Sequence, residues 1–73
     1  MAIQIVMDNS GDSRFEFDPS DGGAVAEAAG RFNRLISRGY TAAERTGPGT
    51  SRKVTAFDPT ATEVLFMPRL VGG

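Results

Sequence analysis

Hydrophobic and polar positions alternate at period two in the first part of the chain, the spacing of a strand with two different faces. From Ala2 to Asp8, Ile3, Ile5 and Met7 alternate with Ala2, Gln4 and Val6. From Ser13 to Asp18, Phe15 and Phe17 share one face and Arg14 and Glu16 the other. Between these runs stands Asn9-Ser10-Gly11-Asp12, dense in turn formers, with Gly11 free to take a positive φ. The pattern predicts an antiparallel hairpin with one apolar and one mostly polar face.

Pro19 ends the second strand, having no N–H for the ladder. Ser20 and Asp21 are the candidates for a helix N-cap. From Ala24 the period becomes helical: Val25, Ala28, Ala29, Phe32, Leu35 and Ile36 form one stripe, and Glu27, Arg31, Arg34 and Arg38 the opposite one. The arginine stripe reads as a solvated helix face, with Glu27 and Arg31 spaced for an i,i+4 pair worth ~0.3 kcal/mol. Gly39 suits the position after the helix. Gly30, inside it, costs about 1 kcal/mol relative to alanine, and a close approach of helix to sheet would explain it.

The second half predicts a weak strand from Tyr40 to Arg45, a loop over Thr46-Gly47-Pro48-Gly49-Thr50-Ser51 and a strand from Arg52 to Phe57. In that strand Val54 and Ala56 share one face, Thr55 and Phe57 the other. Asp58-Pro59-Thr60-Ala61 turns the chain, Val64 to Met67 is an apolar strand, and Pro68 stops regular pairing. The order is β-β-α-β-β-β, an α+β class. One helix covers one face of the sheet, with the first and last strands parallel in the middle through a right-handed crossover. That is a β-grasp architecture. A split barrel is the other α+β arrangement of these elements, and a ferredoxin-like fold needs a second helix. Ile3, Ile5, Phe15, Phe17, Val64 and Phe66 are expected to face the helix. Val6, Leu65 and Met67 then point outward as an apolar docking surface.

Composition narrows the chemistry. The 73 residues make one small domain, expected over 1–68 and followed by a tail over 69–73. With no cysteine there is no disulfide, thiolate metal site or cysteine nucleophile, and with no histidine the commonest metal ligand and general base are missing. No metal site, no cofactor and no enzymatic activity are expected. A net charge of −1 gives no reason to expect nucleic acid or an anionic membrane as partner. The apolar run from Ile3 to Met7, broken by Gln4, is too short for a signal peptide or a membrane span. A cytoplasmic domain is expected.

The tail carries the strongest functional signal. Pro68 separates the last strand from Arg69-Leu70-Val71-Gly72-Gly73. Two glycines lack a Cβ, so the backbone can thread a narrow active-site channel and its carbonyl can be attacked without hindrance. This tail resembles the ubiquitin ending Arg-Leu-Arg-Gly-Gly. The strand–turn–strand opening and the Pro19-Ser20-Asp21 entry to the helix resemble ubiquitin too. The resemblance spans both ends and the element order, with residues 40 to 62 shorter and poorly matched. It points to the ubiquitin-like modifiers of bacterial type, which are found beside adenylating, conjugating and deconjugating enzymes, some in antiphage defence operons.

The resemblance implies that Gly73, preceded by Gly72, is adenylated by an E1-like enzyme using ATP. It then passes to E1-like and E2-like cysteines as a thioester, and on to a target protein. It implies a deconjugating peptidase as a further partner. Arg69, Leu70 and Val71 are the implied recognition residues for the activating enzyme; Val71 departs from the ubiquitin arginine, so a different specificity is expected. If Gly73 is the native end, no processing protease is required. Lys53 is the single lysine, unlike lysine-rich ubiquitin, which argues against lysine-linked chains. Two other readings stand beside this one. The first is a sulfur carrier with a C-terminal thiocarboxylate, which shares the fold and the Gly-Gly end. The second is a β-grasp interaction module in which the glycines are incidental. Gly22-Gly23 and Gly47-Pro48-Gly49 with Lys53 both fail the phosphate-loop pattern.

Overall fold

The computed structural model describes residues 1–68. Its elements are β1 (Ala2–Asp8), β2 (Gly11–Phe17), α1 (Gly22–Ser37), β3 (Thr41–Gly47), β4 (Thr50–Val54) and β5 (Glu63–Met67). The strands form one mixed sheet in the order β2-β1-β5-β3-β4, with α1 packed on one face. β1 and β5, the first and last strands, lie parallel at its centre, and every other pairing is antiparallel. The fold is therefore α+β, with one helix on a five-stranded sheet. No described helix is long and apolar enough to cross a membrane.

Local chemistry sets the element ends. Asn9-Ser10 closes the first hairpin, with Asp8 opposite Gly11, which takes φ +123°. Asp21 is the N-cap: its side chain accepts from the N–H of Gly23 and of Ala24, so the helix starts two residues before the apolar period does. At the other end Gly39 N–H donates to Ile36 O and Tyr40 N–H to Leu35 O, with Gly39 at φ +91°. This is a Schellman motif, completed by Tyr40 packing on the core that contains Leu35.

The second hairpin is tighter than its loop-like composition predicts. Only Pro48-Gly49 lies outside the ladder, because proline presets one turn position and Gly49 supplies φ +71° at the next. β3 thus runs on to Gly47, through an irregularity between Arg45 and Gly47, and β4 begins at Thr50. β4 also stops at Val54 instead of reaching Phe57. Phe57 leaves the sheet and packs edge-on against Phe32, with ring centroids 5.9 Å apart.

The core lies between α1 and the sheet. Phe32 and Phe66 meet edge-on at 5.5 Å, surrounded by Val6, Leu35, Ala42, Ala61 and Val64. A second cluster, Ala2, Phe17 and Ala28, closes the end nearer the helix start.

Three expectations about the helix are corrected. Arg31 is half-buried, not solvated: it donates to Gln4 Oε1 at 2.7 Å and its guanidinium lies 4.0 Å over the Phe15 ring. These contacts replace the Glu27–Arg31 pair, which is not among the ion pairs of the described residues. Gly30 does not mark a close approach to the sheet either. A Cβ there would meet only the Arg34 guanidinium, at 3.3 Å, the movable end of a flexible side chain. Gly30→Ala should therefore stabilise the domain by about 0.5–1 kcal/mol through helix propensity. Urea denaturation reads this directly; a loss of stability would mean that helix and sheet are closer than described.

Candidate functional site

The site is built on the sheet face that α1 leaves open. Parity along each strand decides what it presents. Val64 and Phe66 of β5 are buried under the helix, so Leu65 and Met67 point away from it, as expected from the sequence. On β1 the facing is the reverse of the expected one. Ala2, Gln4 and Val6 point inward and are buried, whereas Ile3, Ile5 and Met7 point to the open face. Val6, expected on the docking surface, is 8 % exposed and belongs to the core.

The registers explain this inversion. Gln4 stands opposite Phe15 and beside Val64, and Ala2 stands opposite Phe17. Residues directly opposite share a face, so even-numbered positions of β1 go in with the phenylalanines. Burying Gln4 is tolerated because both ends of its amide are used. Nε2 donates to Ala28 O at 3.1 Å, and Oε1 accepts from Arg31. Phe15 lies on the helix side as expected but at its margin, 37 % exposed beneath Arg31.

Across the middle of the open face the registers align Lys53, Ala43, Leu65, Ile5 and Arg14 in one row. The centre of this row is apolar and both ends are cationic. Ile3, Met7 and Met67 extend the apolar centre, with Met7 42 % and Met67 38 % exposed. At the start of β5 the patch is bordered by an Arg45–Glu63 ion pair, formed across the strands. A shallow depression beside the patch is lined by Ala43, Thr50, Ser51, Leu65 and Met67. Lys53 is exposed at its end of the row.

At the far end of β5 the chain passes through Met67 to Pro68 and leaves the sheet. Gly72 and Gly73, and Arg69, Leu70 and Val71, expected from the sequence to be read by an activating enzyme, lie outside the described residues, as does the whole 69–73 tail. The structure thus brings Leu65 and Met67 together, adds Ile3, Ile5 and Met7, and removes Val6.

Three aspartates serve turns. Asp8 accepts from the hydroxyl and N–H of Ser10, Asp18 from the N–H and hydroxyl of Ser20, and Asp58 from the hydroxyl and N–H of Thr60. These bonds hold all three carboxyls below the usual carboxylate range. The sequence Phe-Asp-Pro occurs twice, at Phe17-Asp18-Pro19 and Phe57-Asp58-Pro59, and would be expected to close a strand each time; the first does so at the end of β2, whereas Phe57 lies beyond the end of β4 at Val54. Compared with known protein families, curated proteins and solved structures, the chain matches none.

Proposed function

We propose that this chain is a β-grasp, ubiquitin-like protein modifier of bacterial type. The observation that carries the reading is the placement of β5. It is the central strand of the sheet, its Leu65 and Met67 contribute to the open apolar face, and it runs through Pro68 directly into Arg69-Leu70-Val71-Gly72-Gly73. One strand thereby links a surface for an enzyme to hold with a backbone narrow enough for that enzyme to thread.

In this reading the Gly73 carboxylate attacks ATP at an E1-like enzyme, giving an acyl adenylate and pyrophosphate. An enzyme thiolate displaces AMP to form a thioester, which an E2-like enzyme takes over. A nucleophile of the target protein then displaces the thiol, and a peptidase reverses the bond by hydrolysis. The modifier is the group transferred and supplies no catalytic residue. Ile3, Ile5, Leu65 and Met67 form the docking patch, with Arg14 and Lys53 at its ends for acidic residues on the partner. Arg69, Leu70 and Val71 present the tail to the activating enzyme.

The test is incubation of the N-terminally tagged full chain with ATP and an extract of its own organism, followed by mass spectrometry. Amide or ester adducts through Gly73 on other proteins are expected. Replacement of one terminal oxygen by sulfur on the unattached chain would instead make it a sulfur carrier. The absence of both products, with partner binding unchanged by deletion of Gly72 and Gly73, would make it an interaction module.

A further inference from the structure

Two of the chain's three methionines meet on the open face, at the end where β5 passes into the tail. β1 and β5 run parallel and in register, with Val6 beside Phe66 on the helix side. The next residue of each strand, Met7 and Met67, points the other way, which sets two thioethers side by side on adjacent strands. Both are exposed, and neither belongs to the core clusters around Phe32 and Phe17. Thr41, opposite Met67, carries a hydroxyl that can donate to an oxygen placed on that sulfur. The chain has no cysteine, so all of its sulfur is in methionine. The apolar centre of the face is thus divided along its length. Ile3, Ile5 and Leu65 resist mild oxidants, whereas the end next to the tail is made of oxidisable thioethers.

We propose that Met7 and Met67 form a paired oxidation site, at which a hydroperoxide converts the tail end of the open face from apolar to polar. A sulfur lone pair attacks the hydroxyl oxygen of the peroxide. An S–O bond forms, the O–O bond breaks, and the departing oxygen takes the proton of the transferred one and leaves as water or an alcohol. Sulfur loses two electrons and the peroxide gains them. A methionine sulfoxide reductase restores the thioether with electrons from a dithiol, which becomes a disulfide as water is released. The consequence for docking rests on the modifier reading: a partner closing on Leu65 and Met67 would have to bury two sulfoxide dipoles, so oxidation suppresses transfer of the chain.

The placement of the pair allows this chemistry without unfolding. Val6 and Phe66, one residue earlier in each strand, fill the core, and Met7 and Met67 take no part in it. Met1 supplies an internal control. It is 80 % exposed and precedes β1 at the opposite end of the strand from Met7, so its oxidation reports exposure alone.

The experiment treats the N-terminally tagged, ¹⁵N-labelled full chain with hydrogen peroxide. Tandem mass spectrometry locates the oxygen, amide spectra report the fold, and retention on a phenyl column reports the apolar face. Sulfoxide at Met7 and Met67 is expected, with a folded spectrum, shifts confined to the ends of β1 and β5 and their neighbours, and earlier elution. Methionine sulfoxide reductase with dithiothreitol should reverse all three. Met7→Leu/Met67→Leu should keep its retention under peroxide although its Met1 is oxidised. In extract with ATP, Met7→Gln/Met67→Gln carries a polar amide in place of the sulfoxide and is not repaired. It should form Gly73 adducts about tenfold more slowly than the leucine variant, or slower still. Unfolding on oxidation, unchanged retention, or equal peroxide sensitivity of the leucine variant would overturn the proposal. So would equal adduct rates for the glutamine and leucine variants. Should the untreated chain form no adducts at all, the modifier reading fails, and the retention and mass measurements still decide the oxidation site.

Discussion

Phe32→Ala is expected to destabilise the domain by about 3–5 kcal/mol, the usual cost of truncating a buried aromatic. Phe32 is 1 % exposed and joins three parts of the chain. Its ring meets Phe66 of the central strand at 5.5 Å and Phe57 of the β4–β5 connection at 5.9 Å, both edge-on, while its backbone belongs to α1. Removing it opens a cavity at the point where helix, sheet and connection meet. A domain of this size rarely has more than about 3–5 kcal/mol to lose, so the variant should be largely unfolded at room temperature. Urea denaturation by circular dichroism measures the change. A loss below about 1 kcal/mol would show that α1 does not cover the sheet at this position.

The second large effect separates the two faces. Val6→Arg places a guanidinium on the inner face among Phe32, Leu35 and Phe66, where it has no carboxylate partner among the core residues. Burying an unpaired charge costs several kcal/mol, enough to unfold the chain. Leu65→Arg, on the open face in line with Ile5 and Ala43, should cost about 1 kcal/mol or less in stability and yet weaken capture by the adenylating enzyme that the proposed function requires. The same denaturation measurement, with a pull-down of the enzyme by each folded variant, decides between the faces. A folded Val6→Arg and an unfolded Leu65→Arg would mean that the inner and outer faces of the sheet are exchanged.

The sequence misleads about β1 for a physical reason. Both faces of β1 are apolar, Ile3-Ile5-Met7 on one and Ala2-Val6 on the other, so alternation alone carries no sign. The size of isoleucine favours putting Ile3 and Ile5 inside. The hairpin register says the opposite: a two-residue Asn9-Ser10 loop puts Gln4 opposite Phe15 and Ala2 opposite Phe17. That clue is present in the sequence, and it requires counting from the turn instead of comparing hydrophobicity. The buried role of Gln4 is not legible, because its stabilising partners are a helix carbonyl and Arg31, both far away in the chain.

Elements with strong local chemistry are legible. The helix, its Gly39 terminus and the Asp58–Ala61 turn follow from capping and turn residues, and the parallel central pair follows from the element order. The β3–β4 hairpin is longer than its composition suggests because Thr, Gly and Pro in succession look like a loop. Two-residue turns need only Pro48 and Gly49, and the flanking threonines are strand residues whose hydroxyls bond across the pair. Arg31 misleads for a related reason. A charged residue on the polar stripe looks solvated until an aromatic ring at a sheet edge gives its guanidinium a surface to lie on.

In the proposed function the terminal carboxylate of Gly73 is the reacting group. The most direct measurement compares the full chain with a semisynthetic copy bearing a C-terminal amide, both added with ATP to extract and analysed by tandem mass spectrometry for branched peptides. Target peptides carrying the Leu70-Val71-Gly72-Gly73 remnant left by tryptic cleavage after Arg69 are predicted with the free acid and none with the amide. Equal adduct formation by the two, or undiminished biological activity of the amide, would contradict it.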